Sequence, residues 1–319
     1  MEVRSYILIM IAVMLVFQTS AQIKINPSPY TIETTYEQLK KDYPFIKPIT
    51  EEKSKSIEAK ENLIYKTTET STLKLDVYAP AKSGKKSYPG VLLIHGGGWA
   101  SGSKENERVM AQHLAENGYV GVAVQYRLSE EAKYPAAVID LKDALRWMRE
   151  NAKKYSIDPD KIVVLGASAG AQLATLIGVT PDSEIYKEQD QKTSSKVQAI
   201  VNIDGIVSFI HPEAAAEGSY AGYWLGGLKD TNFKNWKEAS PLEYVNEKTP
   251  PTLFINSSQP RFHAGRDDMM KILDKNGIYS EVHTLEDSPH SFWLLHPWFE
   301  PTLNYTVSFL DTVFKNSEK

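Results

Sequence analysis

The residues best suited to chemistry centre on Ser168, which lies in the sequence Gly166-Ala167-Ser168-Ala169-Gly170. A Gly-x-Ser-x-Gly pattern between a strand and a helix forms a sharp turn that exposes the serine hydroxyl as a nucleophile. Residues 161–166 are apolar and β-branched, which predicts a buried strand, and residues 169–179 are rich in Ala and Leu, which predicts a helix. The pattern therefore predicts acyl transfer through Ser168, and the alternative is a glycine-rich turn with an idle serine.

Three consecutive glycines upstream could supply a second part of that chemistry. They lie in the sequence His95-Gly96-Gly97-Gly98-Trp99, directly after an apolar run at 91–94 that predicts a strand. Glycine lets the backbone approach a ligand closely, and amide N–H groups aimed at a carbonyl oxygen stabilise the oxyanion that forms in acyl transfer. We expect the amides of Gly97, Gly98 and Ala169 to form this oxyanion hole, and a flexible glycine loop is the alternative.

The elements that must position these residues alternate along the chain. After a first antiparallel pair, predicted strands and helices follow one another, and repeated units of this kind form a parallel sheet with helices on both faces. The predicted strands are at 62–67, 73–78, 91–94, 120–125, 161–166, 197–203, 252–255 and 279–285, and the predicted helices are at 104–117, 136–153, 169–179, 267–276 and 302–315.

These segments resemble the α/β-hydrolase fold and, within it, the HGGG-type carboxylesterases described as BD-FAE or acetyl-xylan-esterase-like. The resemblance extends from about residue 61 to the C-terminus, and it is carried by both glycine motifs and by the segments 75–80, 126–128, 135–140, 224–227 and 239–242. It implies an α/β fold with a mostly parallel central sheet and a small cap insertion at about 206–248. It also implies hydrolysis of small acyl esters, often acetyl groups on polysaccharides.

The general base that this fold requires is a histidine that follows the nucleophile and the acid in chain order. His290 lies a few residues after the last predicted strand and is the preferred candidate. His296 is the alternative, and His283 falls inside the strand, where we expect it to pack.

The acid that should orient this histidine is left open by the sequence. Members of the resembled family place an aspartate after the seventh strand, but residues 256–260 contain no carboxylate. Asp267, at the start of a predicted helix, is slightly preferred over Asp204, at the end of the sixth strand, and Asp268 is the third candidate. The role of the carboxylate is to hold the imidazole in the correct tautomer and to stabilise the imidazolium.

Composition argues against several other classes of protein. The chain has 319 residues, of which 42% are apolar and 24% charged, and this suits one large globular domain. A net charge of -4 without a basic cluster argues against a nucleic-acid partner. Because cysteine is absent, thiolate metal sites and catalytic thiols are excluded, and we expect neither a cofactor nor a metal.

The N-terminus predicts export. Residues 6–17 are almost continuously apolar and follow Arg4, which is typical of a signal peptide, here at 1–21 with cleavage after Ala21. An uncleaved membrane anchor is the alternative. We expect a secreted or periplasmic bacterial protein without stable membrane association after cleavage, in which a leader at 22–60 wraps a hydrolase domain at 61–319.

The sequence therefore predicts an exported serine esterase that removes short acyl groups, mainly acetyl, from polysaccharides or oligosaccharides through Ser168, His290 and Asp267. Aromatic residues of the insertion offer flat faces for sugar rings, although rings of this kind also fill ordinary cores. The alternatives are a general carboxylesterase or lipase and a non-catalytic binding protein on a hydrolase scaffold. The polysaccharide, the acyl group and the oligomeric state stay open.

Overall fold

The computed structural model describes residues 23–51, 54–81, 87–181, 183–187, 191–216 and 218–316. The predicted signal peptide at 1–21 falls outside these residues. Within the described ranges, no helix combines the length and the apolar composition that crossing a membrane requires.

Strands and helices alternate through most of the described chain. The strands are β1 Lys47–Pro48, β2 Ile57–Thr67, β3 Thr72–Pro80, β4 Tyr88–Ile94, β5 Val120–Val124, β6 Ile157–Ala167, β7 Ala199–Ile203, β8 Thr252–Ser257, β9 Ser280–Leu285 and β10 Leu295–His296. The α-helices are α1 Ile32–Leu39, α2 Arg108–Glu116, α3 Ala136–Glu150, α4 Ala152–Tyr155, α5 Ala169–Val179, α6 Gly218–Leu225, α7 Phe233–Glu238, α8 Arg266–Lys275 and α9 Phe299–Asn316. Short 3-10 helices occur at Lys104–Glu107, Glu184–Tyr186, Pro212–Ala216, Pro241–Tyr244, Pro260–His263 and Phe292–Leu294.

Strands β2 to β9 form one sheet in the order β2-β3-β5-β4-β6-β7-β8-β9. Strand β3 pairs antiparallel with β2 and with β5, and the remaining neighbours are parallel. Because the carboxyl ends of parallel strands meet at one edge of a sheet, the loops after β4, β6, β7 and β8 lie side by side. Both glycine motifs are on this edge.

Helices cover both faces of the sheet because its central strands are apolar on both sides. In β4, Leu92 and Ile94 pack on one face with residues of α3 and α5. Val91 and Leu93 pack on the other face with residues of α2 and α9. Burial on both faces is typical of parallel strands, and the predicted fold class, a mostly parallel sheet between two helical layers, is confirmed.

The segment before the sheet is folded against the domain. Helix α1 begins with a capping box at Thr31, which satisfies backbone N–H groups at the helix start. Ile46 and Ile49 are buried, and β1 pairs antiparallel with β10. Strand β2 begins at Ile57, earlier than the predicted start of the domain, because its first residues pair with the end of β3. Most of the residues at 57–61 are polar and exposed, so the sequence pattern predicted only the later part of this strand, at 62–67.

Helices α6 and α7 lie in the region of the predicted cap insertion, between β7 and β8. Three aromatic rings of this region belong to the core, since Phe209, Trp224 and Trp236 are buried. Trp224 stacks on Trp99 of the upstream glycine motif, with ring centroids 5.1 Å apart. These rings support the neighbouring loop and are not free to bind a sugar.

Candidate active site

Ser168 occupies the turn between β6 and α5 at the carboxyl edge of the sheet. Its backbone has φ 55° and ψ -121°, a conformation that costs about 1–3 kcal/mol for a residue with a side chain. The flanking glycines permit this turn. A β-carbon on Gly166 would lie 2.1 Å from the carbonyl oxygen of Gly170, and one on Gly170 would lie 2.0 Å from that of Ile94. The strained turn presents the hydroxyl at its tip, as the motif predicts.

The Ser168 hydroxyl forms a hydrogen-bonded chain with His290 and Asp204. His290 Nε2 lies 2.9 Å from Ser168 Oγ, and His290 Nδ1 lies 2.7 Å from Asp204 Oδ2. Because a carboxylate can only accept, Nδ1 carries the proton that bonds Asp204, and Nε2 is left to accept the serine proton. In this arrangement an imidazole can act as a general base on a serine hydroxyl.

Both partners of Ser168 are held from other directions as well. Asp204 is fully buried at the end of β7, and its Oδ1 accepts a hydrogen bond from the Ser257 amide at 2.9 Å. Phe262 stacks on His290 with ring centroids 3.5 Å apart and ring planes 10° apart. These contacts restrict the rotation of the carboxylate and of the imidazole.

The structure corrects the preferred assignment of the acid. Asp267 lies at the start of α8 with its side chain 73% exposed, and its carboxylate pairs with Arg266 at 2.7 Å. Asp268, the third candidate, pairs with Lys271 at 2.8 Å. Carboxylates at a helix start are stabilised by the helix dipole, which explains these two residues without a catalytic role. The carboxylate at His290 is that of Asp204, the alternative in the sequence analysis.

The sequence marks Asp204 only ambiguously, because the contact that singles it out forms in the folded structure. The dipeptide Asp204-Gly205 directly follows β7, the strand next to the one that carries Ser168. A β-carbon on Gly205 would lie 2.6 Å from the carbonyl oxygen of Ser168, so this glycine is required where the two loops touch. An aspartate before such a glycine is therefore close to the nucleophile.

The other candidate histidines lie elsewhere. His296 is in β10, where it pairs with Glu300 at 2.6 Å. His283 is in β9 and stacks on Tyr305 with ring centroids 3.9 Å apart, as expected for a packed residue. Of the three, only His290 is hydrogen-bonded to Ser168.

The glycine motif after β4 borders the same site. Gly97 and Gly98 have φ values of 113° and 61°, which glycine adopts without strain. Within the described ranges, no acceptor is hydrogen-bonded to the amides of Gly97, Gly98 or Ala169. All three residues line one cavity with Ser168, so their N–H groups are available to a developing oxyanion.

This cavity has a volume of about 310 Å³ and combines polar groups with apolar walls, among them Ile206 and Phe262. Tyr220 of α6 also lines it and is 39% exposed. Its ring lies so near Gly98 that a β-carbon there would come within 2.9 Å of it. Among the residues that the structure describes, no group of three or more His, Asp or Glu side chains could hold a metal ion.

A family comparison agrees with this geometry. The BD-FAE family model matches residues 75–262, a range that contains Ser168, Asp204 and the His95–Trp99 glycine motif. The chain belongs to the BD-FAE family. The resemblance predicted from the sequence is therefore confirmed.

Relatives of this BD-FAE protein include ester hydrolases. Probable carboxylic ester hydrolase LipM of Mycobacterium tuberculosis is 26% identical over 206 residues, which cover 63% of this chain and 46% of LipM. The arylesterase of Saccharolobus solfataricus is 32% identical over 161 residues, which cover 50% of this chain and 48% of the arylesterase. The chain thus spans about half the length of the curated relatives it matches.

Solved structures similar to this BD-FAE protein include esterases. Esterase Est2 of Thermogutta terrifontis has a TM-score of 0.67 and 26% identity, covering 81% of this chain and 93% of Est2. Two further structures of Est2 hold propionate and butyrate. A bifunctional GH43-CE protein of Bacteroides eggerthii has a TM-score of 0.68 and 25% identity, covering 80% of this chain and 38% of that protein. The shared fold is that of the α/β-hydrolase esterases.

His95 supports the glycine motif of this BD-FAE protein through contacts in the buried interior. Its buried ring stacks on Tyr126 with centroids 4.4 Å apart, and its Nδ1–H donates to the Gly96 carbonyl at 2.8 Å. The Tyr126 hydroxyl donates to the His95 carbonyl at 2.9 Å. Burial lowers the pKa of His95 from 6.5 to about 4, so the ring is neutral and braces the loop.

This burial predicts a loss of stability in acid. The pKa of His95 is lower in the folded chain than in the unfolded chain, so the unfolded chain binds more protons below pH 6.5. Titration of His95 therefore leaves the free energy of unfolding unchanged above pH 6.5 and lowers it as the pH falls from 6.5 towards 4. Between about pH 7.5 and about pH 5, the wild-type free energy of unfolding should fall by about 2 kcal/mol more than that of His95→Phe. Urea titrations of both proteins at each pH measure this difference, and equal losses would contradict it.

Proposed function

We propose that this protein is a carboxylic ester hydrolase that uses Ser168 as nucleophile, His290 as general base and Asp204 as the orienting acid. The observation that carries the proposal is the hydrogen-bonded chain Ser168–His290–Asp204, with distances of 2.9 and 2.7 Å. The esterases among the relatives and the similar structures support it.

The first half of the reaction forms an acyl-enzyme. Ser168 Oγ attacks the ester carbonyl while His290 Nε2 takes the hydroxyl proton. The carbonyl oxygen becomes an oxyanion, which accepts hydrogen bonds from the amides of Gly97, Gly98 and Ala169, and losing one such donor typically costs about 3–4 kcal/mol. The intermediate then collapses, the bond to the alcohol oxygen breaks, and His290 returns its proton to the departing alcohol.

The second half regenerates the enzyme. Water enters, His290 removes one of its protons, and the resulting hydroxide attacks the acyl carbonyl in the same oxyanion hole. Collapse of this intermediate breaks the bond to Ser168 Oγ, which recovers its proton from His290, and the carboxylic acid leaves. Throughout, buried Asp204 stabilises the imidazolium form of the histidine.

We further propose that the substrates are short acyl esters, mainly acetyl esters of polysaccharides or oligosaccharides. The cavity of about 310 Å³ is at the small end of ligand sites, which span roughly 300–1,000 Å³. Structures of Est2 that hold propionate and butyrate agree with a small acyl group, and similarity to a bifunctional GH43-CE protein supports a carbohydrate ester. An apolar run at 6–17 after Arg4 supports export through a signal peptide.

A panel of esters tests this proposal. The purified protein should hydrolyse nitrophenyl acetate with a kcat/KM at least about tenfold above that for the octanoate, since a small pocket rejects extra methylenes. It should also release acetate from acetylated xylan oligosaccharides. A preference for octanoate would indicate a lipase-like carboxylesterase, and no turnover of any ester would indicate a binding protein on this scaffold.

A further inference from the structure

The segment before the sheet forms one wall of the cavity in front of Ser168. Ser28, Pro29, Tyr30 and Gln38 line this cavity together with the nucleophile. These four residues precede the range 75–262 that the family model matches. The wall is therefore built by the N-terminal segment of this chain and lies outside the matched core.

The N-terminal segment that builds this wall is held against the domain at both ends. At its start, Ile23 packs against α6, where a β-carbon on Gly222 would lie 2.8 Å from the isoleucine side chain. Further along, the Ile49 amide donates to the Leu294 carbonyl at 3.1 Å, and β1 pairs with β10. The segment thus runs past the cavity from α6, which follows β7, to β10, which follows the loop that carries His290.

Tyr30 joins this wall to two loops of the active site, the loop that carries His290 and the glycine loop after β4. Its hydroxyl donates to Ser291 Oγ, next to His290, at 3.1 Å, and burial raises the pKa of that hydroxyl well above its ordinary value. Its carbonyl accepts a hydrogen bond from the buried side chain of Asn106 at 3.0 Å. On the other side, β-carbons on Gly96 and Gly102 would lie 3.5 and 3.3 Å from the ring, so the ring rests on the glycine loop.

We propose that residues 28–30 set the size limit of the group that binds beside Ser168, with Tyr30 as the specificity-determining and positioning residue. This inference rests on the proposed esterase function. Tyr30 is hydrogen-bonded at its hydroxyl and at its carbonyl, and its ring touches the glycine loop. The ring therefore cannot move aside for a larger acyl or alcohol group without breaking contacts to both loops, and the wall excludes such groups.

Enlarging and filling the cavity should shift selectivity in opposite directions. Tyr30→Ala removes the ring, so kcat/KM for the larger members of a nitrophenyl acyl series or of an alkyl and benzyl acetate series should rise at least about tenfold relative to the smallest member. Ser28→Trp, at an exposed position on the wall, should lower the same ratio at least about fivefold. Tyr30→Phe keeps the ring, so it should keep the size limit. Because it loses the hydrogen bond to Ser291, next to His290, it should lower kcat with little change in KM.

Tyr36→Ala is the matched control, because Tyr36 is on α1 in the same segment but does not line the cavity. It should keep the wild-type ratios in both series. If the wild type is active and both Tyr30→Ala and Ser28→Trp keep those ratios, the size-limit inference is wrong while the esterase function stands. If Tyr30→Ala fails to fold, Ser28→Trp decides the question. If the wild type hydrolyses no ester, the proposed function fails first.

Discussion

Replacement of Ser168 by alanine should abolish ester hydrolysis, with kcat falling by about 10⁵- to 10⁶-fold, as for other enzymes that lose a triad serine. The reason is that in the proposed mechanism the acyl group is transferred to the hydroxyl oxygen at the tip of the turn, which lies 2.9 Å from His290 Nε2. A small rate above that of water should remain, because the oxyanion hole still binds the carbonyl. Steady-state hydrolysis of nitrophenyl acetate measures the loss.

Ser308→Ala is a suitable control for this substitution, since Ser308 is exposed on α9 and does not line the cavity. It should keep turnover within about twofold of the wild type, as expected for a surface change. Mass spectrometry after treatment with an organophosphate should show one adduct in the wild type and none in Ser168→Ala. Substantial turnover in that variant would exclude Ser168 as the nucleophile.

Replacement of Asp204 by asparagine should be the second most damaging change, with kcat falling by about 10⁴-fold. The Asp204 carboxylate accepts the Nδ1–H of His290 at 2.7 Å. An amide nitrogen in that place would donate to Nδ1, move the imidazole proton to Nε2 and leave no base for Ser168. Steady-state kinetics with nitrophenyl acetate measure this effect, and thermal unfolding of the variant checks that it is folded.

Asp267→Asn is the matched control and tests which of the two aspartates orients His290. The two substitutions are chemically identical, but the Asp267 side chain is 73% exposed and pairs with Arg266. Its kcat should stay within about twofold of the wild type, as expected for a surface change. If Asp267→Asn lost turnover while Asp204→Asn retained it, the assignment from the structure would be reversed.

The sequence by itself determined the class of fold, and it singled out Ser168 as the candidate nucleophile and the glycine motif after β4 as the candidate oxyanion hole. Each of these depends on neighbours in the chain. Gly166 and Gly170 are needed beside Ser168 because a side chain at either would collide with a carbonyl oxygen. The alternation of strand and helix patterns likewise follows from residues that are adjacent in sequence, and from it the parallel sheet could be predicted.

His290 could be placed from chain order alone, but its partner could not. Asp204 and Asp267 both satisfy the order of serine, acid and histidine, and both lie near the end of a strand or the start of a helix. Their difference is spatial. Asp204 follows the strand next to β6 and is fully buried, whereas Asp267 faces solvent.

Only the tertiary structure decided which aspartate meets His290 and which residues close the cavity. Tyr30 reaches Ser291 across 261 positions of the chain, and no local pattern of residues reports such a contact. The aromatic rings after β7 were similarly ambiguous, because a ring suits a core and a sugar site equally well. Their roles depend on which surfaces the folded sheet leaves open, and this is a property of packing between distant segments.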